Sequence, residues 1–400
     1  MKKLLVLLMF VFLISPSLAR IISESQDACV CYAESISQDE IDSFEDMVDD
    51  NLDNLDFSTL DDILKDFTQG QRSIFGSSSF LAKIKMLING DFGDNENVWQ
   101  AIVNVFFDSI VSFLPFLSLI VAISLLGSLM QGLKPSSSKG LSSIVHFVTY
   151  GVVIVLVLSQ VTRLVSLATN AILSIKKQMD TIFPILITML TAMGGATSVS
   201  IYQPAMAFLT GILLNFFTHI LLPIFIFSVI FDIVSNLSGN VKMEKFSSFL
   251  RSSFKWIMGI VFTIFTAFLS IQGLTAISID GISIRTAKYA IRSYIPILGS
   301  YLSDGMGVIL ASSNLIKNAV GGAGLLMLLA SLISPILELV IFMLILKLTA
   351  GIIEPLGNRQ VASFITSLSK SIVLLISLLI GVGFVYFIML GLVMCSANLV

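Results

Sequence analysis

Charge is scarce in this sequence. Asp, Glu, Lys and Arg make up 12% of its 400 residues, about half the share of an ordinary soluble domain. Hydrophobic residues make up 56% and mean hydropathy is +0.95. A water-soluble globule could not cover that much apolar surface, so the composition excludes one. Histidine is rarer still. His146 and His219 are the two present; they fall on different predicted helices amid apolar residues and read as satisfied core or interface side chains rather than a shared metal site. Cys29, Cys31 and Cys395 are too few and too scattered for a disulfide framework, which leaves Cys29 and Cys31 to pair with a partner or stay free. The sequence has no G-x-x-x-x-G-K-S/T phosphate loop, no H-E-x-x-H and no paired-cysteine metal site. It has no basic tract of the kind that binds nucleic acid. The expectation is a protein without catalytic residues, metal or cofactor, and not an enzyme.

What is present is apolar sequence in runs long enough to cross a hydrocarbon layer of about 30 Å. An unpaired backbone amide in lipid costs several kcal/mol, so spanning segments are helices or closed barrels. Runs such as 152–158 and 372–380 do not alternate as barrel strands do. The fold class is therefore all-α, a polytopic helical membrane protein.

Residues 1–19 have the three parts of a secretory signal: Lys2 and Lys3, an apolar core over 4–14, then Pro16, Ser17 and Ala19. Cleavage after Ala19 is expected, with an uncleaved anchor as the alternative. A lipoprotein reading at Cys29 fails, because Gln26 and Asp27 stand where small or apolar residues are needed. Residues 20–98 read as an acidic, helical, extracytoplasmic region. Over 34–67 acids such as Asp39, Glu40, Asp49 and Asp62 are opposed by Lys65 alone. Ile41, Phe44, Val48, Leu52 and Leu55 recur at three- and four-residue steps, the stripe of an amphipathic helix. That stripe suits either a small solvated helical domain or a docking surface. The segment Phe80–Ile88 reads as a further surface helix.

Residues 99–400 read as a membrane domain of five to seven helices. The first span covers 101–130, and a basic turn with Lys134 and Lys139 follows it, placed inside by the bias of cytoplasmic loops toward Lys and Arg. The second span covers 143–161. Lys176 and Lys177 beyond it conflict with that bias, so either a long helix runs past the membrane or 181–196 re-enters. A kinked helix follows over 204–234, with Pro223 inside it. The 241–255 segment, with Lys242, Lys245, Arg251 and Lys255, reads as a cytoplasmic loop. After a return over 256–272 comes the least hydropathic stretch, 273–318. There Arg285, Lys288 and Arg292 share one face of a helix expected to lie on the membrane surface or line a polar interface. Gly321, Gly322 and Gly324 open the next apolar run, either for close helix packing or as a hinge. The final span covers 371–394.

An ionisable residue at membrane depth costs roughly 2.5–3.5 kcal/mol and needs a partner or a wet cavity. Asp232 and Glu338 are the deeper acids. They read as conduit lining, or as helix-end charges and interhelical pairs.

From 272 to 325 the sequence contains Gln272-Gly273, Asp280-Gly281, Arg285 with Lys288, Pro296, Lys317-Asn318, Gly321 and Gly324. These residues, at this spacing, resemble the stage III sporulation protein AE family. The resemblance implies a membrane subunit of the mother cell to forespore channel complex, needed for late forespore gene expression during endospore formation. It implies as partners the other stage III sporulation A operon proteins, including a secretion-type ATPase, and in some species stage II sporulation protein Q. It implies a place in the mother-cell membrane that surrounds the forespore. It names no catalytic residue. The alternative reading is a stand-alone secondary transporter or permease coupled through Asp232 or Glu338.

Overall fold

The computed structural model describes residues 38–76, 79–90, 95–132, 139–237, 243–295, 298–356 and 358–396. The signal segment, Cys29, Cys31, the basic turn at Lys134 and Pro296 lie outside the described residues. Among the described residues every regular element is helical. The chain divides into two compact units, Met1–Asn54 and Leu55–Val400. Of the first, the structure describes α1, Gln38–Asp53.

The second unit begins with three short helices, α2 (Ser58–Lys65), α3 (Gln69–Phe75) and α4 (Phe80–Ile88). Their ends are set by local chemistry. Thr68 and Gln71 form a capping box at the start of α3, and Gly76 ends the helix at φ 75°, a left-handed conformation that glycine adopts without penalty. The Ser79 hydroxyl accepts the Ala82 N–H at 3.2 Å to cap α4. Asp61 accepts the Phe80 N–H at 2.7 Å and ties α2 to α4. Contrary to the surface reading, α4 buries Phe80, Ile84 and even Lys83, and it packs on a long helix of the bundle.

The bundle proper consists of α5 (Asn95–Gly132), α6 (Lys139–Ala192), α7 (Ala196–Ala207), α8 (Leu222–Leu237), α9 (Glu244–Tyr294), α10 (Gly299–Ile353) and α11 (Arg359–Cys395). Two π-helical stretches, Phe208–Leu213 and Phe217–Leu221, join α7 to α8 with one short α turn between them, so 196–237 runs as one irregular helix. Six helices among the described residues are long and apolar enough to cross a membrane.

Two sequence expectations are corrected here. The 241–255 segment is not a loop. Lys245, Arg251 and Lys255 lie on α9, and Ser247 is fully buried, because Ser247 and Arg251 both bond Asp232 of α8 and hold the first turns of α9 against it. The 273–318 stretch is not a separate surface helix, since α9 runs on to Tyr294 and α10 starts at Gly299. Gly321, Gly322 and Gly324 open the apolar run from inside α10, well past the start of that helix. The conflict at Lys176 and Lys177 resolves as one long helix, α6.

α11 is the central helix, packed on by α6, α8, α9 and α10. Its glycines are what let the neighbours close in. A Cβ on Gly381 would stand 2.6 Å from Met258 Cε, and one on Gly383 would overlap the Leu332 side chain. Close approach through small residues is the usual way helices associate where no water drives them together.

Candidate functional site

Three polar groupings are built into this apolar bundle, one at each end and one between. The first is at the end where α8 meets α9. Asp232 on α8 is 1% exposed. Arg251 on α9 donates to both its carboxylate oxygens, at 3.0 and 2.7 Å. The Ser247 hydroxyl donates to Oδ1 at 2.6 Å and the Ser371 hydroxyl to Oδ2 at 3.1 Å. Tyr150 on α6 donates to the Ile233 carbonyl at 3.0 Å beside it. A buried ion pair is tolerable only when its spare lone pairs are also met, and here two hydroxyls meet them.

The second grouping joins α6 to α10. Arg163 pairs with Glu338 at 2.5 Å, and its guanidinium stands over the Phe113 ring of α5 at 5.0 Å from the centroid. Both predicted intramembrane acids are thus met by arginine from a different helix. Deeper in the core, Gln178 donates to the Ser331 hydroxyl at 2.6 Å and links the same two helices.

The third lies at the opposite end. After Ala192 the chain reverses through Gly194, at φ 79°, and α7 begins without a cap from its own turn. Asp280, reaching across from α9, supplies one: it accepts the N–H of Thr197 at 3.0 Å and of Ser198 at 2.8 Å. A carboxylate there meets two orphan donors and the positive end of the helix dipole. Gly195 permits the approach, since a Cβ would sit 3.1 Å from the Leu190 carbonyl oxygen and 3.4 Å from Asp280 Oδ2. Nearby, the fully buried Lys317 donates its ammonium to the Ser396 carbonyl, while the Tyr202 and Ser396 hydroxyls hydrogen-bond at 2.8 Å. Lys317 and Tyr202 together fasten the end of α11 to α10 and α7.

The remaining predicted residues are dispersed. Arg285 is exposed, Lys288 half-buried, and Arg292 donates to Ser303 on α10 at 2.9 Å, a tie across the hairpin. Asn318 reaches Asn314 at 3.5 Å. A Cβ on Gly321 would stand 2.5 Å from Met394 Cγ, and one on Gly324 would stand 3.0 Å from Ile182 Cδ1, so both sit at helix crossings. Gln272, Gly273 and Gly281 lie within α9. His219 contacts the Asn215 carbonyl at 3.0 Å on its own helix. Among the described residues no group of three or more His, Cys, Asp or Glu gathers as a metal site. Chemically, these clusters fix helices against one another by paired charge and capped ends.

Sequence reasoning missed the partners: Ser247, Ser371, Tyr202 and Ser396 carry no motif, and only the fold brings them together. The one signal was Arg251 and Asp232, opposite charges flanking a short turn.

The architecture defines the class, a polytopic all-α membrane protein whose long helices are pinned at both ends. The chain belongs to the stage III sporulation protein AE family, whose sequence pattern matches residues 79–397, and its role is accordingly in sporulation. It is 28% identical over 317 residues to the stage III sporulation protein AE of Bacillus subtilis (strain 168), covering 78% of this chain and 79% of that one. No solved structure matches it.

Proposed function

We propose that this protein is a non-catalytic membrane subunit of the channel complex between mother cell and forespore, seated in the mother-cell membrane around the forespore. The observation that carries the reading is the family match across 79–397, which covers nearly the whole bundle. The partners in this reading are the other proteins of the stage III sporulation A operon, including its secretion-type ATPase, and stage II sporulation protein Q on the forespore side.

The orientation follows from charge. The helix ends at Lys139, Leu237 and Arg359 share one end of the bundle, where Tyr150 bonds Ile233 and Gln360 bonds Asn236. Lys134, Lys139, Lys242, Lys245 and Arg359 stand in or beside them, so that end is cytoplasmic. An even number of spans then puts the acidic N-terminal region and the end of α11 on the far side, toward the forespore. The permease reading is weaker, because Asp232 and Glu338 are each engaged by arginine and offer no free carboxylate to a moving ion.

The test is deletion of the gene in a sporulating strain, complemented by a tagged copy. Loss of late forespore gene expression, with the operon's other products co-purifying on the tag, is the expected result. Normal spores without the gene, or solute transport by the purified protein alone in vesicles, would overturn the proposal.

A further inference from the structure

The long helices are too long for a membrane. α6, α9 and α10 contain 54, 51 and 55 residues, about 75–85 Å of helix, against a hydrocarbon layer of about 30 Å. What each helix shows on its outer face decides where lipid stops. Starting from its end at Lys139, α6 exposes Ile144, Phe147, Val148, Val155 and Leu158. Beyond Leu158 it exposes Thr162, Arg163, Ser166, Asn170, Lys177 and Asp180, with Leu173 the large apolar exception. The inward face does not change: Leu164, Ala168, Ile172, Ile175, Met179 and Ile182 are all buried. The far half of α6 is thus apolar inward and polar outward, the pattern of a helix in water, whereas the near half is apolar all round, the pattern of a helix in lipid.

Three neighbours change in the same direction, whereas the far half of α10 still exposes Tyr301, Leu302, Val308 and Ile309. Counting from its end at Gly132, α5 exposes Leu129, Leu126, Leu119 and Val111, then Asp108 and Asn104 with Phe107 and Trp99 among them. The 196–237 helix exposes Val234, Ile230, Phe227 and Ile220, is mixed from His219 to Phe208, and then exposes Gln203 and Ser200. α9 exposes Trp256, Ile260, Ile264, Phe268 and Ile271; past its middle it exposes Ser283, Arg285 and Thr286 beside Ile282, Tyr289 and Tyr294. On α5 and α6 the change falls roughly 20–25 residues from the shared end, the length that crosses hydrocarbon, and on the other two helices it is spread further along. Within the near halves the outward serines satisfy themselves, as lipid-facing hydroxyls must: Ser112, Ser118 and Ser159 donate to carbonyls of their own helices at 2.8, 2.9 and 2.8 Å.

We infer that the bilayer covers only the near halves of these helices, and that their far halves form a water-exposed helical head, with the lipid boundary on α6 between Leu158 and Thr162. The head extends about 45 Å beyond the boundary along residues 162–192 of α6. α4 belongs to it through Leu87, which lies against Gly322. Lys176 and Lys177 then lie on the surface of an aqueous domain and say nothing against the orientation. The inference depends on the multi-pass architecture, not on the channel role.

The test uses the full chain with Cys29, Cys31 and Cys395 replaced by serine and single cysteines returned at Val155→Cys, Ile264→Cys, Asn170→Cys and Thr188→Cys. Intact vegetative cells, expressing the chain in the membrane that bounds the cell, are treated with a membrane-impermeant maleimide. The expected result is labelling at 170 and 188, with 155 and 264 reacting about tenfold slower or less, and equal reactivity at all four after denaturation. Protection at 170 and 188 like that at 155, or rapid labelling at 155 and 264, would overturn the boundary. Labelling at 170 and 188 only after the cells are opened would uphold the boundary and overturn the orientation. As a check needing no new cysteine, native Cys395, exposed at the far end of α11, reacts like the head sites in the Cys29→Ser, Cys31→Ser protein; its protection counts against the head.

Discussion

Asp280 and Ser198 stand 82 residues apart in the chain, and a carboxylate oxygen of Asp280 accepts the backbone N–H of Ser198 at 2.8 Å. The other oxygen takes the N–H of Thr197. Asp280 thereby gains a physical role, since it starts α7 from a distance and holds the reversal after α6 against α9. Gly195 and Gly194 serve the same junction, one by making room and one by adopting positive φ.

Asp280→Ala leaves one buried and one part-buried N–H without an acceptor, and about 1–2 kcal/mol of stability is lost. Asp280→Asn keeps one acceptor and loses less. Thermal unfolding in detergent measures both; an unchanged midpoint for Asp280→Ala would mean that the cap contributes nothing.

The Asp232 cluster carries a sharper expectation. Arg251→Ala strands a carboxylate that is 1% exposed and costs about 3–5 kcal/mol, whereas replacing both partners together with apolar side chains of similar volume costs much less. The comparison is a double-mutant cycle on purified protein. Additive losses in the two single variants and the double would show that the pair is not coupled.

Helix packing at α11 is tested by glycine. Gly381→Ala brings a Cβ to within 2.6 Å of Met258 Cε and costs about 1–3 kcal/mol through overpacking. Gly391→Ala, with nothing within 4 Å of the new methyl, is neutral or slightly stabilising because alanine favours the helix. If the two variants behave alike in a melting experiment, the close crossing is absent.

Hydropathy made the class legible, because lipid demands long apolar helices and little else produces them. It could not mark helix ends inside the bundle, since α10 reads as apolar both where it meets lipid and where it forms the core of a head. The 241–255 segment misled for a different reason: bases at three- to six-residue steps mark a cytoplasmic loop and also one face of a helix, and only contact with Asp232 separates the two. Asp232 and Glu338 were visible as acids needing partners, but which arginine each would meet depended on helix register. Gly321 and Gly324 were visible as small residues at a crossing, and Met394 and Ile182 as their neighbours were not.

The last prediction concerns the basic residues near the tip of the α9–α10 hairpin. The variants are Arg285→Glu and Lys288→Glu, which reverse two charges on a largely exposed stretch of α9 without touching the apolar spans. Two acidic counterparts fit such a face: a protein surface in the same compartment, or anionic lipid, to which each basic residue contributes about 1 kcal/mol within a Debye length of the membrane. If this stretch belongs to a head beyond the lipid boundary, it stands away from the headgroups, and the protein counterpart is favoured. The double variant is then expected to insert normally, accumulate to the normal level, and lose co-purification of the other channel proteins together with late forespore gene expression. Normal level, normal co-purification and normal spores would refute a partner contact at this face. A defect that follows the anionic lipid content of reconstituted vesicles would assign the charges to the membrane instead.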